Sequence, residues 1–247
     1  MPTRATKKAE TAVAPAAAGV RRSGRPRSAT ASAKIYAELR AELVSMQRQP
    51  GDAISEAEIA LAHGVSRTPV REAILKLADD GLLDIFPQSG IYVSRIPLAA
   101  LPEAIIIRKA LEETTARLAA ERATPSQILH LHAIVERQRE AGADHDSDAF
   151  HHADDRFHAT IAEVAGHPGI WTLIQQVKLQ ADRYRRLTLP QSGRIAGAIT
   201  EHVAILMAIE TRNPAQARLA MEVHLERLLR DISATQSINP EFFDRGN

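Results

Sequence analysis

Three short helical patterns followed by a hairpin occupy residues 33–95, and this order constrains the fold more than any other feature of the chain. The first helix is predicted over residues 33–48, because apolar residues recur there at helical spacing and Pro50-Gly51 then stops it. Ser55-Glu56-Ala57-Glu58 is a capping box that opens a second helix. His63-Gly64 ends that helix, since glycine suits a left-handed C-terminal residue.

The second helix is expected to bury Ile59 and Leu61, and a third helix opens at the run Ser66-Arg67-Thr68-Pro69. Proline is tolerated there because the N–H groups of a first turn have no partner within the helix. Two β-rich runs follow, over residues 82–86 and 91–95, and Pro87-Gln88-Ser89-Gly90 joins them as a hairpin. Three helices and a hairpin predict a winged helix-turn-helix.

The third helix has the properties of a DNA-reading helix. Arg67, Thr68 and Arg71 lie opposite its apolar face, and arginine suits the two acceptors on the guanine edge. Ser66 and the first-turn N–H groups suit a phosphate, and the small Ser89-Gly90 tip lets the wing approach DNA closely. In the alternative interpretation, the arginines merely solvate a surface helix.

Composition favours a helical fold and predicts a location inside the cell. Hydrophobic residues make up 45% of the 247 residues, aromatic residues only 4%, and there is no cysteine for a disulfide or a thiolate metal site. No apolar run approaches the roughly 20 residues of a membrane span, and no secretory signal is evident. We therefore expect a cytoplasmic protein without a membrane partner.

Basic charge is concentrated at the N-terminus. Residues 1–34 carry eight basic residues against one acidic residue, for a net charge of +7, whereas residues 35–95 have a net charge of −3. Residues 1–32 are predicted to be a disordered basic tail. Within it, Ser23-Gly24-Arg25-Pro26-Arg27 resembles an AT-hook, although generic phosphate affinity is the simpler interpretation.

The remainder of the chain predicts an all-α domain over residues 97–236, with a loose tail over 237–247. The predicted fold class is therefore mostly α, a winged helix-turn-helix followed by an antiparallel helical bundle. The six helical patterns cover residues 99–122, 125–142, 146–165, 168–189, 192–212 and 214–235.

Four residues of the helical domain form a candidate metal-binding set. Asp154 and His158 share a helix face at i, i+4, and His202 and His224 lie among apolar residues in the last two long helices. One carboxylate and three imidazoles suit a divalent transition metal. By spacing alone, the alternative is two ordinary buried histidines and a surface Asp–His pair.

The DNA-reading segment closely resembles the N-terminal domain of GntR-family regulators. The resemblance rests on Pro50-Gly51, Ser55-Glu56 and the run from Gly64 to Ala73, together with Gly81-Leu82. It implies a homodimer that binds a short palindrome in double-stranded operator DNA. It also implies that Arg67 and Arg71 contact bases, that Ser66 and Thr68 contact phosphates or bases, and that Gly90 marks the wing. Ala57 departs from the family pattern, because many members have a DNA-contacting arginine there, so the operator is expected to differ.

The helical region resembles the FCD ligand-binding domain of the FadR branch of this family. Metal-containing members have an Asp-x-x-x-His pair and later two histidines, which here are Asp154, His158, His202 and His224, with Glu201 before the third ligand. The resemblance implies a metal site, in which zinc is the most favoured metal and nickel and manganese are the alternatives. Asp155 is the rival to Asp154, since it also shares a helix with His158.

The same resemblance implies a small carboxylate effector near the metal. Arg108 matches an arginine of the first FCD helix that pairs with such an effector, and Arg183 is a second candidate. Alternatively, Arg108 pairs with Glu112 at i+4. Six helices rather than seven indicate the smaller, VanR-like form of the domain.

The resulting prediction is a metabolite-responsive transcriptional regulator rather than an enzyme. Two alternatives stay open on sequence alone. One is a helical metalloenzyme fused to a DNA-binding head, although no general base or nucleophile is evident beside the metal set. The other is a regulator whose metal only staples three helices together.

Overall fold

A computed structural model describes residues 27–191, 193–235 and 240–244. The first part is the predicted winged helix-turn-helix. Its helices and strands are α1 (Arg27–Val44), β1 (Ala53–Ile54), α2 (Glu56–His63), α3 (Arg67–Asp79), β2 (Leu83–Phe86) and β3 (Gly90–Val93). The strands form one antiparallel sheet in the order β1-β3-β2, with Ile54 and Ile85 both opposite Ile91.

The first helix is displaced towards the N-terminus relative to the prediction. It begins at Arg27, so residues 27–32 are helical rather than part of the predicted tail, and Ser32 is buried. It ends at Val44 because Met46 takes a left-handed φ of 62°. Residues 1–26, which include most of the AT-hook-like run, lie outside the described residues.

Local signals placed the second helix correctly. The Ser55 hydroxyl accepts a hydrogen bond from the Glu58 N–H at 3.3 Å, and Gly64 closes α2 with a φ of 61°. The expected burial of Leu61 is wrong, because its side chain is 84% exposed. Ala60 is buried in its place beside Ile59, since one residue turns a helix by about 100°.

The second part is a bundle of helices. In the described residues these are α4 (Leu101–Arg122), α5 (Pro125–Ala143), α6 (Ser147–Val164), α7 (Pro168–Val177), α8 (Leu179–Thr188), α9 (Arg194–Glu210) and α10 (Pro214–Thr235). Apolar side chains of α4, α5, α6, α9 and α10 form its main core, with Phe157, Ile205 and Met221 fully buried. None of the helices among the described residues is long and apolar enough to span a membrane.

The bundle has seven described helices where six were predicted, because the segment 168–189 is divided at Lys178. The Lys178 side chain is buried at this junction, and its ammonium group pairs with Asp155 and Asp182. The sequence has neither proline nor glycine here, so nothing in the local pattern predicted the division. The six-helix form expected from the resemblance is therefore not what the described residues show.

Part of the predicted loose C-terminal tail forms a strand. Ile96–Pro97 (β4) pairs in parallel with Phe243–Asp244 (β5), although no strand was predicted after Pro97. Phe243 is buried and its ring lies 6.2 Å from that of Tyr184. Two-residue strands carry too little periodicity to be seen in a sequence.

Phe243→Ala is expected to lower the free energy of unfolding by about 3 kcal/mol, the lower end for a buried Phe→Ala change, because the terminal segment can relax. The measurement is a urea titration followed by circular dichroism. Phe86→Ala is the control, since Phe86 is half exposed on the wing and its loss should cost less than about 1 kcal/mol. Equal effects of the two changes would contradict the docking of the C-terminal segment.

Helix α8 and the end of α7 hold the winged part against the bundle. The Gln180 side-chain amide donates to the Gly81 carbonyl at 2.8 Å, and Arg183 donates to the Ser94 carbonyl at 2.6 Å. Arg40 of α1 also donates to the Gln175 carbonyl at 3.4 Å. The two parts are therefore joined by specific side-chain hydrogen bonds as well as by the chain itself.

Candidate functional site

The exposed face of α3 carries the predicted DNA-reading side chains. Arg67, Thr68 and Arg71 are all exposed, whereas Val70 and Ile74 on the opposite face are buried. Ser66 is the N-cap residue, but its hydroxyl makes no capping hydrogen bond. The first turn therefore presents N–H groups without a side-chain acceptor, which is the arrangement that binds a phosphate.

The wing tip is held in a defined shape. Gly90 has a φ of 123°, and a Cβ atom there would lie 3.4 Å from the Tyr92 ring. The Tyr92 hydroxyl donates to the Ser89 carbonyl at 2.9 Å. Ser89 and Gly90 are both exposed, so the wing presents its backbone on a short, fixed tip.

The structure brings three of the predicted metal ligands together. His158 on α6, His202 on α9 and His224 on α10 each offer a nitrogen within 4.8 Å of the other two. The three side chains are at least nine-tenths buried. The Nε2 atoms of His202 and His224 are 3.4 Å apart. Two imidazole nitrogens that bind one tetrahedral zinc at about 2.0–2.1 Å are separated by about the same distance.

The outer nitrogens of two histidines have fixed partners. His202 Nδ1 lies 2.7 Å from the Gln138 oxygen, and Gln138 is oriented because its own amide donates to the Ala153 carbonyl. His224 Nδ1 lies 3.0 Å from a Glu201 oxygen, and Arg227 donates to the other oxygen of that carboxylate. Both acceptors require Nδ1 to be the protonated nitrogen.

This assignment leaves two lone pairs facing each other. Burial, and to a smaller extent the neighbouring His224 imidazole, holds the pKa of His202 well below its usual value. Burial also lowers the pKa of His224, although the hydrogen bond with Glu201 acts to raise it. Both rings are therefore neutral near pH 7, with unprotonated Nε2 atoms turned towards each other. A cation between them would relieve that contact, so these residues fit a metal.

His158 has one ring nitrogen that is paired and one that is not. Its Nδ1 lies 2.5 Å from a Glu112 oxygen, and both side chains are buried. Among the described residues, its buried Nε2 atom has no hydrogen-bond partner. A buried polar group without a partner is costly, and a metal on that nitrogen would satisfy it.

Asp154 is near the cluster but is already engaged. Its Oδ1 lies 3.6 Å from His202 Nε2, while both of its oxygens accept hydrogen bonds from Arg185. Burial alone would raise the pKa of Asp154, but Arg185 outweighs it and holds the pKa well below its usual value. Neither Asp154 nor the alternative ligand Asp155 belongs to the cluster of ligand atoms within 4.8 Å of one another. Asp155 pairs instead with Lys178 at 2.9 Å.

A small cavity of about 50 Å³ opens beside His224. Charged and polar residues on its wall are Arg108, Arg185, Thr188, Arg194, Glu201, His224 and Arg227. Four arginines against one glutamate make this lining suited to an anion. The cavity therefore places four guanidinium groups close to one of the candidate metal ligands. Three of them also pair with a carboxylate, namely that of Glu112, Asp154 or Glu201.

The two predicted effector-binding arginines have different surroundings. Arg108 lines the cavity and is buried, but it also donates to Glu112 at 2.7 Å, so the pairing expected of the alternative interpretation is present. Arg183 does not line the cavity. It is fully buried and donates to Ser94 and to Gln180 on the side of the winged part. Its position in α8 turns it away from the histidines.

Two family models match the chain where the structure has its two parts. The model described as "Bacterial regulatory proteins, gntR family" matches residues 31–93, and the FCD domain matches residues 103–227. The FCD match alone covers half of the chain. The chain belongs to the GntR family. It is a transcriptional regulator with an FCD domain, not an enzyme.

This GntR-family protein matches relatives that are described as transcriptional regulators, and the matches cover most of each chain. An uncharacterised HTH-type transcriptional regulator in an unstable DNA locus of Streptomyces ambofaciens is 34% identical over 209 residues, covering 85% of this chain and 88% of the relative. The HTH-type transcriptional repressor RspR of Escherichia coli K12 is 33% identical over 210 residues, with 85% and 92% covered. The Uxu operon regulator of Haemophilus influenzae is 31% identical, with 77% of each chain covered.

Solved structures show the same fold. Escherichia coli McbR/YncC has a TM-score of 0.71 at 21% identity, covering 84% of this chain and 99% of that one. A GntR regulator from Rhodococcus sp. RHA1 has a TM-score of 0.70 at 22% identity, covering 83% and 98%. At these identities the likeness extends to the fold alone.

Several residues of the site were missed in the sequence of this GntR-family protein. They are Gln138, Arg185 and Arg227, which surround the candidate ligands. Glu112 was predicted only as a partner of Arg108, not of His158. One signal was available for Gln138, because it continues the apolar stripe of Leu131, Ile134 and Ala141. A polar residue in such a stripe indicates a buried partner. No comparable signal distinguishes Arg185 from the two arginines beside it.

Proposed function

We propose that this GntR-family regulator binds palindromic operator DNA as a homodimer in the cytoplasm, under the control of a small carboxylate effector held near a divalent metal. The observation that carries the sensor half of this proposal is the buried three-histidine cluster, in which the Nε2 atoms of His202 and His224 are 3.4 Å apart. The DNA half rests on the exposed polar face of α3.

The DNA contacts follow from the chemistry of that face. Arg67 and Arg71 each offer a planar fork of donors, which matches the two acceptors of guanine in the major groove. Ser66 and Thr68 lie at the first turn, where hydroxyl and N–H groups can bind a phosphate or a base. Ser89 and Gly90 bring the wing to the backbone beside the same groove.

Deleting residues 1–26 is expected to weaken operator binding and to flatten its dependence on salt. This segment carries six basic residues and one acidic residue, whereas residues 35–95 are net negative. The slope of log affinity against log salt concentration scales with the number of phosphates neutralised. Fluorescence anisotropy at several salt concentrations measures both quantities, and an unchanged affinity and slope would exclude a role for the segment.

The metal would be held by His158, His202 and His224, with Asp154 as the fourth ligand. Nitrogen-rich sites with one carboxylate suit zinc, with nickel and manganese behind it, because geometry and availability decide among them. The metal would supply a Lewis-acidic position for an effector carboxylate. Glu112, Gln138 and Glu201 orient the imidazoles, and Arg227 orients Glu201.

The effector would lie in the arginine-lined cavity. A carboxylate there could reach the guanidinium of Arg108 or Arg185 while facing His224, which belongs to both the cavity wall and the cluster. Bidentate pairing with a guanidinium gives both affinity and orientation. Because Arg183 points to the winged part, we assign it to domain contact rather than to effector binding.

Helix α8 provides the physical connection between effector and DNA. Arg185 contacts Asp154 beside the cluster, while Gln180 and Arg183 of the same ten-residue helix contact the winged part. A shift of α8 would therefore be transmitted to the DNA-reading helices. The two sites are allosterically coupled if metal or effector changes DNA affinity and DNA changes theirs by the same factor.

The experiment is an operator titration of the full chain with and without metal. We expect removal of metal by a chelator to change operator affinity by about 5- to 150-fold, the usual range of allosteric coupling. Far-UV circular dichroism on the same samples should show that the helices persist. Loss of helicity on chelation would favour the alternative of a structural metal that staples α6, α9 and α10 together.

A further inference from the structure

The pairing of Asp154 with Arg185 joins a candidate metal ligand to a residue of the cavity wall. Arg185 Nη1 lies 2.7 Å from Oδ2, and Nη2 lies 2.8 Å from Oδ1. Both side chains are buried. A two-pronged guanidinium–carboxylate pair of this kind is strong and geometrically restrictive.

This pair competes with the metal for the same carboxylate. Asp154 Oδ1, the oxygen 3.6 Å from His202 Nε2, is also the oxygen that accepts from Arg185 Nη2. A divalent ion at the histidines would face a guanidinium across one carboxylate, and two positive charges at that range repel strongly in a buried site. Asp154 therefore cannot serve both partners equally well.

We propose that Arg185 acts as a latch, holding Asp154 off the metal until an anion in the cavity draws the guanidinium away. The inference rests on the proposed metal-dependent function and deepens it. Arg185 lines the cavity as well as touching Asp154, so a small carboxylate there can take over its donors. Asp154 then joins the three histidines, and effector and metal strengthen each other's binding.

The two possible roles of Arg185, as a latch or as an orienting residue, predict opposite effects of its removal on metal affinity. If Arg185 merely orients Asp154 as a metal ligand, its removal should weaken metal binding by about 10- to 100-fold, as for other outer-shell partners. If Arg185 is a latch, its removal frees a buried carboxylate beside the cluster and takes away a positive charge. Metal binding should then become tighter.

The test is a zinc titration of metal-free, full-length protein by calorimetry with a competing chelator. We expect R185Q to bind zinc at least tenfold more tightly than the wild type. R186Q is the matched control, because Arg186 is the next residue of α8 and pairs with the exposed Asp148. Its zinc affinity should stay within about twofold of the wild type. Unchanged or weaker zinc binding by R185Q would overturn the latch.

The visible spectrum of bound Co²⁺ supplies a second readout, because it reports the ligands and geometry of the ion. R185Q should change the wild-type spectrum, and D154N/R185Q should restore it. An R185Q spectrum that adding D154N does not alter would contradict the proposal. If R185Q fails to fold, R185K is the second variant. It keeps the positive charge but not the two-pronged geometry, and it should tighten zinc binding to a smaller extent.

The failure of the latch and the failure of the proposed function are distinguishable. A wild-type protein that binds no metal would overturn the proposed function itself, whereas metal binding that R185Q does not tighten would overturn only the latch.

Discussion

Replacing Arg67 and Arg71 together with alanine will reduce operator affinity by more than about 100-fold, because each guanidinium paired with a guanine is worth about 1–3 kcal/mol. Both side chains are exposed on α3, opposite the buried Val70 and Ile74, so the substitutions remove donors without disturbing the core. Each single substitution should also relax specificity at one base pair of each half-site.

The operator for this measurement is first selected from random DNA by the wild-type protein, and affinity is then read by fluorescence anisotropy. Arg139→Ala is the control, since Arg139 is an exposed arginine of α5 that pairs with Glu136 far from the winged part. It changes the net charge by the same amount per residue and should leave affinity within about twofold. An operator affinity of the double variant equal to that of the control would contradict the assignment of α3.

Replacing His202 or His224 with alanine will lower metal affinity by more than about 100-fold, since outer-shell partners alone are worth about 10- to 100-fold. Each change removes a ligand and also leaves an acceptor, the buried Gln138 or the partly buried Glu201, without the N–H that it now binds. The expected loss is therefore larger than for any residue outside the cluster.

His132→Ala is the matched control, because His132 is an exposed histidine that pairs with Glu210 on the surface. The metal affinity of the His132→Ala variant, measured by calorimetry, should equal that of the wild type. Retained helicity of the His202 and His224 variants, with loss of the metal effect on operator binding, supports a sensing role. Metal affinity that survives either substitution would exclude the cluster as the site.

Much of the fold follows from signals that act within one or two turns of chain. The Thr124–Gln127 capping box forms as the residue pattern predicts, with Pro125 in the first turn of α5. The Gly64 helix end forms in the same way. The division at Lys178 and the pairing of Ile96 with Phe243 were not predictable, because each depends on residues that are distant in sequence or carry no local pattern.

The candidate site also contains residues that the sequence predicts and residues that only the packing of helices reveals. His158, His202 and His224 could be chosen from their positions on helix faces and from the family resemblance, and the structure brings them together. The Arg185 fork on Asp154 spans 31 positions in the sequence, and three arginines within four residues of α8 look alike until the helix is placed. Which of them faces the cluster is a property of packing.

The most direct test of this account is anomalous diffraction from crystals of the full chain loaded with zinc, recorded at the zinc absorption edge. We predict one peak per chain, within about 2.0–2.1 Å of ring nitrogens of His158, His202 and His224. For His202 and His224 the nitrogen should be Nε2, because Nδ1 faces Gln138 or Glu201. A peak elsewhere, for example beside Asp155, or no peak at all, would contradict a metal-centred sensor.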